Sequence, residues 1–180
     1  MNQLNALKEE FYQSQSKNWF FKKTQKLDCA KEISEKMDIS DLLSRTIEIY
    51  GNKFIFNYTV FKSYAHPGNY ADIIDYIFRA YDIILQNFAT FEVHLILDTF
   101  SISAAERYKD IIQLFCNKCT SSKYTNALTM MFIYYTPSMM DSISKILKPF
   151  IDPNVANKII MYNKPESAEH LTQLYMSEVR

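Results

Sequence analysis

A Cys-x-x-Cys pair and a histidine four residues before an aspartate are the parts of this sequence closest to metal or acid–base chemistry. Cys116 and Cys119 have metal-like spacing, but a zinc site needs about four ligands, and the third cysteine, Cys29, is distant. A redox pair would normally open a helix, whereas this pair closes a predicted one. His94 and Asp98 share one face of a predicted strand and are therefore about 13 Å apart, too far for a direct dyad. We expect no enzyme active site, no metal and no cofactor.

The sequence contains only two glycines, Gly51 and Gly68. Dinucleotide and P-loop sites need several closely spaced glycines so that the backbone can approach phosphate, and a nucleophile elbow needs glycines beside its serine. Lys plus Arg and Asp plus Glu balance at 20 each, so no overall positive charge favours nucleic acid. These features exclude the common nucleotide-binding and hydrolase motifs, and we expect no nucleic-acid partner.

The composition predicts a folded, soluble domain of the cytoplasm. Apolar residues make up 48% of the 180 residues, which is sufficient for a sizeable core. Three cysteines do not indicate a disulfide framework and favour a reducing compartment. Residues 1–15 lack the apolar segment of a secretion signal, and no run approaches the roughly 18 apolar residues of a membrane-spanning helix.

Hydrophobic periodicity predicts alternating strands and helices. The clearest helix covers residues 70–87, where apolar residues recur at helical spacing. The two-residue connection Gly51-Asn52 predicts a type II′ hairpin between the first two strands. The predicted strands are 46–50, 53–61, 91–97, 129–135 and 158–162, and the further helices are 103–119, 138–148 and 167–179.

Strands that alternate with helices predict an α/β fold in which a mixed sheet of four to six strands is flanked by helices. Strand 129–135 has no polar face, so we expect it to be central rather than at an edge. Residues 1–45 are charged and helix-prone, and they predict an N-terminal segment of two or three helices. The main domain is then expected to cover residues 46–180.

One N-terminal segment, residues 17–23, interleaves lysines with large aromatic residues. Trp19, Phe20 and Phe21 could insert at a bilayer interface while the lysines attract anionic headgroups. The same aromatic side chains could instead pack on the domain. Peripheral membrane contact and internal packing are both consistent with the sequence.

The segment Lys-Pro-Phe-Ile-Asp-Pro at 148–153, followed by Lys158 and Ile159, resembles the CRAL-TRIO family. This family includes phosphatidylinositol transfer proteins and carriers of α-tocopherol and retinal. Its members typically have a strand ending in a proline, a helix, a KPFLDP-like turn and a K-I strand, and this sequence has each part in that order. The resemblance covers residues 46–170 and implies a mixed sheet with a mobile gate helix.

In this family the gate helix covers an apolar ligand pocket, and the resemblance assigns that role to helix 138–148 above strand 129–135. Methionines suit such a pocket because their side chains are flexible and polarisable. Lys158 matches a lysine of the inositol-lipid subset, but Val155 and Asn126 replace its hydroxyl and acidic residues, so no inositol lipid is specified. The expected ligand contacts are Met130, Phe132, Tyr134, Met139, Met140, Ile143, Leu147 and Lys158.

The function that the resemblance implies is the binding, and potentially the transfer, of a lipid or other hydrophobic small molecule without bond chemistry. Two family features are missing: the helical module with its Leu-Arg-rich signature and the C-terminal Gly-Gly segment. Shorter family members include the domains of BCH scaffold proteins, which also bind proteins. The alternative is therefore a protein-interaction scaffold of the BCH type, with a small GTPase as a candidate partner.

Overall fold

A computed structural model describes residues 2–14, 22–119 and 122–176 and places a five-stranded mixed sheet among helices. The strands are β1 (Ile47–Tyr50), β2 (Lys53–Asn57), β3 (Phe91–Ile96), β4 (Leu128–Tyr134) and β5 (Ile159–Met161). The helices are α1 (Asn2–Ser14), α2 (Lys22–Lys36), α3 (Ile39–Thr46), α4 (Tyr58–Phe61), α5 (Tyr70–Asn87), α6 (Ile102–Arg107), α7 (Lys109–Cys119), α8 (Ser122–Ala127), α9 (Met140–Leu147), α10 (Pro153–Ala156) and α11 (Lys164–Met176).

The predicted hairpin is confirmed. β1 and β2 pair antiparallel, with Tyr50 opposite Lys53 at the turn. Gly51 has a φ of +57°, the left-handed conformation that a type II′ turn requires at its first central residue. Two residues therefore suffice to reverse the chain.

The second strand ends earlier than the predicted 53–61. The side chain of Asn57 accepts hydrogen bonds from the backbone N–H groups of Thr59 and Val60, at 3.0 and 3.3 Å. This cap starts the short helix α4, which buries Tyr58 and Phe61. The apolar run that suggests a long strand is therefore divided between a strand and a helix.

The remaining pairs, β2–β3, β3–β4 and β4–β5, are parallel, and the strand order follows the sequence. β4 lies inside the sheet, as its apolar composition predicts, while β3 occupies the middle position. Helix α5 has the predicted bounds, 70–87, and buries eight residues of its apolar stripe. The fold class is confirmed as a mixed sheet flanked by helices.

Two helices differ from prediction. Segment 103–119 divides into α6 and α7 at Tyr108, which leaves helical geometry (φ −102°, ψ 12°) and buries its ring against Tyr58 and Phe61. Helix α11 begins at residue 164 rather than 167, because Asn163 and Glu166 exchange side-chain-to-backbone hydrogen bonds of 3.0 and 3.1 Å that fix an earlier start.

The three N-terminal helices belong to the main hydrophobic core. Leu4, Phe11, Ile33 and Leu42 are buried in one cluster with residues of the sheet and of α5. The expected helical segment at 1–45 is thus found in its described part, and it covers the core. The boundary at residue 46 stays a prediction.

Candidate ligand-binding site

The helix expected to act as a gate is α9, and it begins later than predicted. A threonine followed by a proline, as at Thr136-Pro137, often caps and opens a helix. Instead the carbonyl of Pro137 accepts a hydrogen bond of 3.1 Å from the N–H of Met140, so a turn precedes the helix. Met139 occupies the N-cap position and makes no side-chain capping bond. The start of α9 therefore lacks a side-chain cap.

Few side chains anchor α9. Of its eight residues, all of them described, Ile143 alone is buried, with no exposed surface. Met140, Ile146 and Leu147 are half-buried, and Met139, just before the helix, is 57% exposed. The helix packs against α6. Its apolar surface is thus only partly used by the contacts that it makes.

Strand β4 presents different residues to its two sides, because side chains alternate along a strand. Phe132 and Tyr134 pack with Leu171 and Leu174 of α11. Met131 packs on the opposite side, against the main core below α5 and α7. We call these the α11 face and the core face of the sheet.

Chain connectivity places α9 on the core face. Parallel strands joined by right-handed crossovers, laid down in sequence order, carry all their connecting helices on the same face. Val155 of α10, in the same connection, packs against the main core. The predicted contacts therefore divide: Met130, Phe132 and Tyr134 lie on the α11 face, and Met139, Met140, Ile143 and Leu147 belong to the connection on the core face.

Lys158 lies just before β5, and its ammonium group is held within the fold. The Nζ atom donates hydrogen bonds to the carbonyls of Thr125 at 2.9 Å and Leu128 at 2.6 Å. These carbonyls lie where α8 ends and β4 begins. The last carbonyl groups of a helix have no partner within the helix, so a cation placed there can supply their hydrogen bonds. Its expected contact with a ligand stays a prediction, and a structural role competes with it.

The comparisons with known proteins decide the family. The profile of the CRAL/TRIO domain matches residues 65–179, which is 115 of the 180 residues. The chain belongs to the CRAL/TRIO domain family. Membership implies a domain that binds a lipid or another hydrophobic molecule.

Among solved structures, the crystal structure of Sfh5 resembles this CRAL/TRIO chain with a TM-score of 0.49 and 13% sequence identity. The similarity covers 79% of this chain and 54% of the Sfh5 chain, so this chain spans about half the length of Sfh5. The search of curated proteins finds no match.

On the α11 face of this CRAL/TRIO domain, aromatic rings form a continuous stack. The ring of His94 stacks on Phe132 at 4.9 Å, Tyr134 stacks on Tyr162 at 5.5 Å, and Tyr162 stacks on His170 at 4.0 Å. The Tyr134 hydroxyl shares a 2.9 Å hydrogen bond with Nδ1 of His94. These contacts give Tyr134 and Phe132 packing partners within the protein.

The residues considered above for metal or acid–base chemistry do not come together as a site. Asp98 lies beyond the end of β3 and is exposed, away from the strand position of His94. Burial raises the pKa of Cys116 to about 11 and that of Cys119 to about 12, which is opposite to a reactive thiol. Within the described ranges, no cluster of three or more His, Cys, Asp or Glu side chains could hold a metal ion.

Membrane contact is not resolved by the structure. Trp19, Phe20 and Phe21 lie outside the described residues, and their role stays a prediction. Sedimentation of a triple-alanine variant with anionic vesicles tests it, since unchanged binding would exclude that role. None of the described helices is both long and apolar enough to span a bilayer.

Two cavities in the described part of the chain have no residue of α9 in their lining. One, of about 310 Å³, lies between α1, α2, α4 and α6. The other, of about 370 Å³, is bordered by Phe88 and Asn126.

The ligand contacts predicted from sequence do not include the residues of β4 and β5 that share a face with α9. Met131 pairs with Ile159 and Ile133 pairs with Met161, which puts all four on the core face. The available signal was the two-residue alternation of β4, which separates Met131 and Ile133 from Met130 and Phe132. That pattern gives two faces but does not say which one α9 covers.

Proposed function

We propose that this domain takes up a lipid or other hydrophobic small molecule between α9 and the core face of the sheet, with α9 as the gate. The observation that carries the proposal is an apolar side chain on the core face that lacks full cover. Met161 is 42% exposed, whereas Ile133, its partner on the same face, is 5% exposed. Exposed apolar surface at an edge strand, on the face that carries a weakly anchored helix, favours an apolar ligand.

The chemistry of this region suits a hydrophobic ligand. The half-buried side chains of Met131, Met140 and Leu147 carry no charge and can rearrange around a guest. Burying an acyl chain against them is favourable by roughly 0.8 kcal/mol per methylene group. Such a site binds, shields and releases its ligand, which supports carriage or transfer rather than catalysis.

We expect the site to open by movement of α9. Gates are drawn from the least stable parts of a fold. With Ile143 as its one buried residue and no side-chain cap at its start, α9 fits that description. Pro149, two residues after the helix, also limits its extension.

The first test asks whether the purified protein carries a lipid. Solvent extraction of the recombinant protein, followed by mass spectrometry, is expected to find a co-purified lipid in excess over a matched blank. The scaffold alternative predicts none, because a filled core needs no ligand.

The second test uses two adjacent methionines as a matched pair. Met131 lies on the core face and Met130 on the α11 face, and both are half-buried. Met131→Gln places an amide in the proposed pocket and should weaken uptake of a fluorescent lipid about tenfold, because a buried polar group without a partner costs about 1–3 kcal/mol. Met130→Gln should leave uptake unchanged. Equal effects of the two variants, or no effect of either, would contradict the proposed pocket.

A further inference from the structure

The cavity of about 310 Å³ is lined by four cations from different parts of the chain. Lys8 comes from α1, Lys26 from α2, Lys62 follows α4, and Arg107 ends α6. None of the lining residues, all of them described, is a carboxylate. A concave surface that concentrates charge of one sign attracts ligands of the opposite sign.

Hydroxyl groups complement the cations. Tyr12, Tyr58, Thr99 and Ser101 also line the cavity. Thr99 has a φ of +65°, a left-handed conformation that costs about 1–3 kcal/mol in a residue with a branched Cβ. In this conformation its hydroxyl accepts a hydrogen bond from the ammonium of Lys62. Backbone strain of this kind persists where surrounding structure holds a functional group in position.

Lys8, Lys62 and Arg107 are partly buried beside this cavity, where no lining residue carries a negative charge. Burial, with a further contribution from the charge of Lys62, lowers the pKa of Lys8. Burial likewise lowers the pKa of Lys62; Asp98 opposes that effect and Lys26 adds to it. Nε of Arg107 is buried and has no hydrogen-bond partner among the described residues, and a guanidinium cannot relieve this by losing its proton. An anion in the cavity would relieve the repulsion and supply the missing acceptor.

We propose that this cavity binds a small molecule carrying two or more phosphate groups, either free in solution or as the headgroup of a membrane lipid. Ligand pockets are typically about 300–1,000 Å³, so this volume suits a headgroup or a small polyphosphate and excludes the acyl chains of a lipid. Several cations spread around one cavity match several phosphates better than a single carboxylate.

This site is separate from the hydrophobic site proposed above. Thr99 and Ser101 follow β3, so the cavity lies at the carboxyl edge of the parallel strands, where α/β folds commonly bind ligands. Lys158 lies at the opposite edge, before β5. Lys8, Lys26 and Lys62 also precede residues 65–179, the part that matches the family, so this chain builds the site largely from its own N-terminal region.

The test measures binding of two probes to the full-length protein. Sodium tripolyphosphate is titrated by calorimetry, and phosphatidylcholine vesicles with and without phosphatidylinositol bisphosphate are used in sedimentation. The variant is Lys8→Gln/Lys62→Gln. The control is Lys31→Gln on α2, which removes an exposed lysine whose ion pair with Glu35 is at the surface.

We expect the double variant to bind about tenfold more weakly or worse, because each hydrogen bond to a charged group is worth about 1.5–3 kcal/mol. Without ligand its melting temperature should be equal to or above that of the wild type, since two repelling charges are gone. Lys31→Gln should bind like the wild type. We therefore expect the double variant to be folded, and circular dichroism measures whether it is.

The two arms distinguish the sources of phosphate. Binding of tripolyphosphate that the double variant loses supports a free polyphosphate. Binding only to vesicles with the phosphorylated lipid, again lost in the variant, supports a headgroup. Binding to neither probe, or equal binding by wild type and variant, overturns the proposal. Lipid uptake at α9 should be unaffected by the double variant, so failure here is separable from failure of the proposed function.

Discussion

The imidazole of His94 is 3% exposed, and it bonds to Tyr134 through Nδ1 while Nε2 has no hydrogen-bond partner among the described residues. Nε2 lies 3.5 Å from a carboxylate oxygen of Glu92, which would favour the charged ring. Burial acts in the other direction, with help from the charge of Lys53, and lowers the pKa of His94 to about 4. Burial dominates because the Glu92 carboxylate is partly exposed to solvent. His94 is therefore neutral at pH 7 and structural.

This neutral histidine predicts a pH dependence of stability. Its pKa rises from about 4 in the folded protein to about 6.5 when unfolded, so the unfolded state takes up the proton first. The stabilisation is complete above pH 6.5 and is lost as pH falls from 6.5 towards 4. Between pH 7 and pH 5 the free energy of unfolding should fall by roughly 2 kcal/mol from this residue.

Urea unfolding at pH 7 and pH 5 measures this change. His94→Gln keeps a group that can hydrogen-bond Tyr134 but does not titrate, so its stability should depend less on pH by about the same 2 kcal/mol. An unchanged slope in that variant would assign the pH dependence to other groups, of which His66, whose pKa burial also lowers, is the next candidate.

At the scale of elements, two helices that connect parallel strands differ in how many of their residues are buried. α5 has 18 residues and buries eight of them, whereas α9 has eight residues and buries one. Since burial of apolar side chains supplies most of the stability of a packed helix, local opening should cost less at α9. A helix with few buried residues, such as α9, suits a gate, whereas a helix with many, such as α5, suits a permanent part of the core.

Hydrogen exchange should show this difference. In the lipid-free protein we expect amides of α9 to exchange faster than those of α5, and to slow after loading with the co-purified lipid. The scaffold alternative predicts slow exchange in α9 that does not respond to lipid. Mass spectrometry of peptic fragments that cover the two helices separates these outcomes.

At the scale of the whole molecule, the N-terminal helices close the core and build one wall of the basic cavity. Phe11 of α1 and Ile33 of α2 are 4% and 1% exposed in the same cluster as Phe54 and Tyr81. Lys8 and Lys26, on the same two helices, line the cavity. The described parts of residues 1–45 therefore share a packed core with the sheet.

We expect Phe11→Ala to lower the free energy of unfolding by about 3–5 kcal/mol, the usual cost of removing a buried aromatic ring. The loss should appear in one cooperative transition, because α1 shares its core with the sheet. Phe88→Ala is the matched control, since Phe88 is 43% exposed, and its effect should be about 1 kcal/mol or less. A separate early transition for the N-terminal helices would show instead that they fold independently.

The sequence by itself determined several local elements and the family. Apolar spacing set the bounds of α5, Gly51 set the hairpin, and the turn at 148–153 with its flanking strands carried the CRAL-TRIO resemblance. These features depend on neighbours a few residues apart, so a linear pattern contains them. The start of α11 was missed by three residues, because the cap formed by Asn163 and Glu166 decided it.

Only the tertiary structure decided which residues face one another. Alternation along β4 defines two faces, but right-handed connections and the position of α11 assign Met131 to the side of α9 and Phe132 to the other. The basic cavity likewise joins Lys8, Lys62 and Arg107, which are far apart in sequence and share no motif. Packing of helices on a sheet brings such residues together, and no local spacing records it.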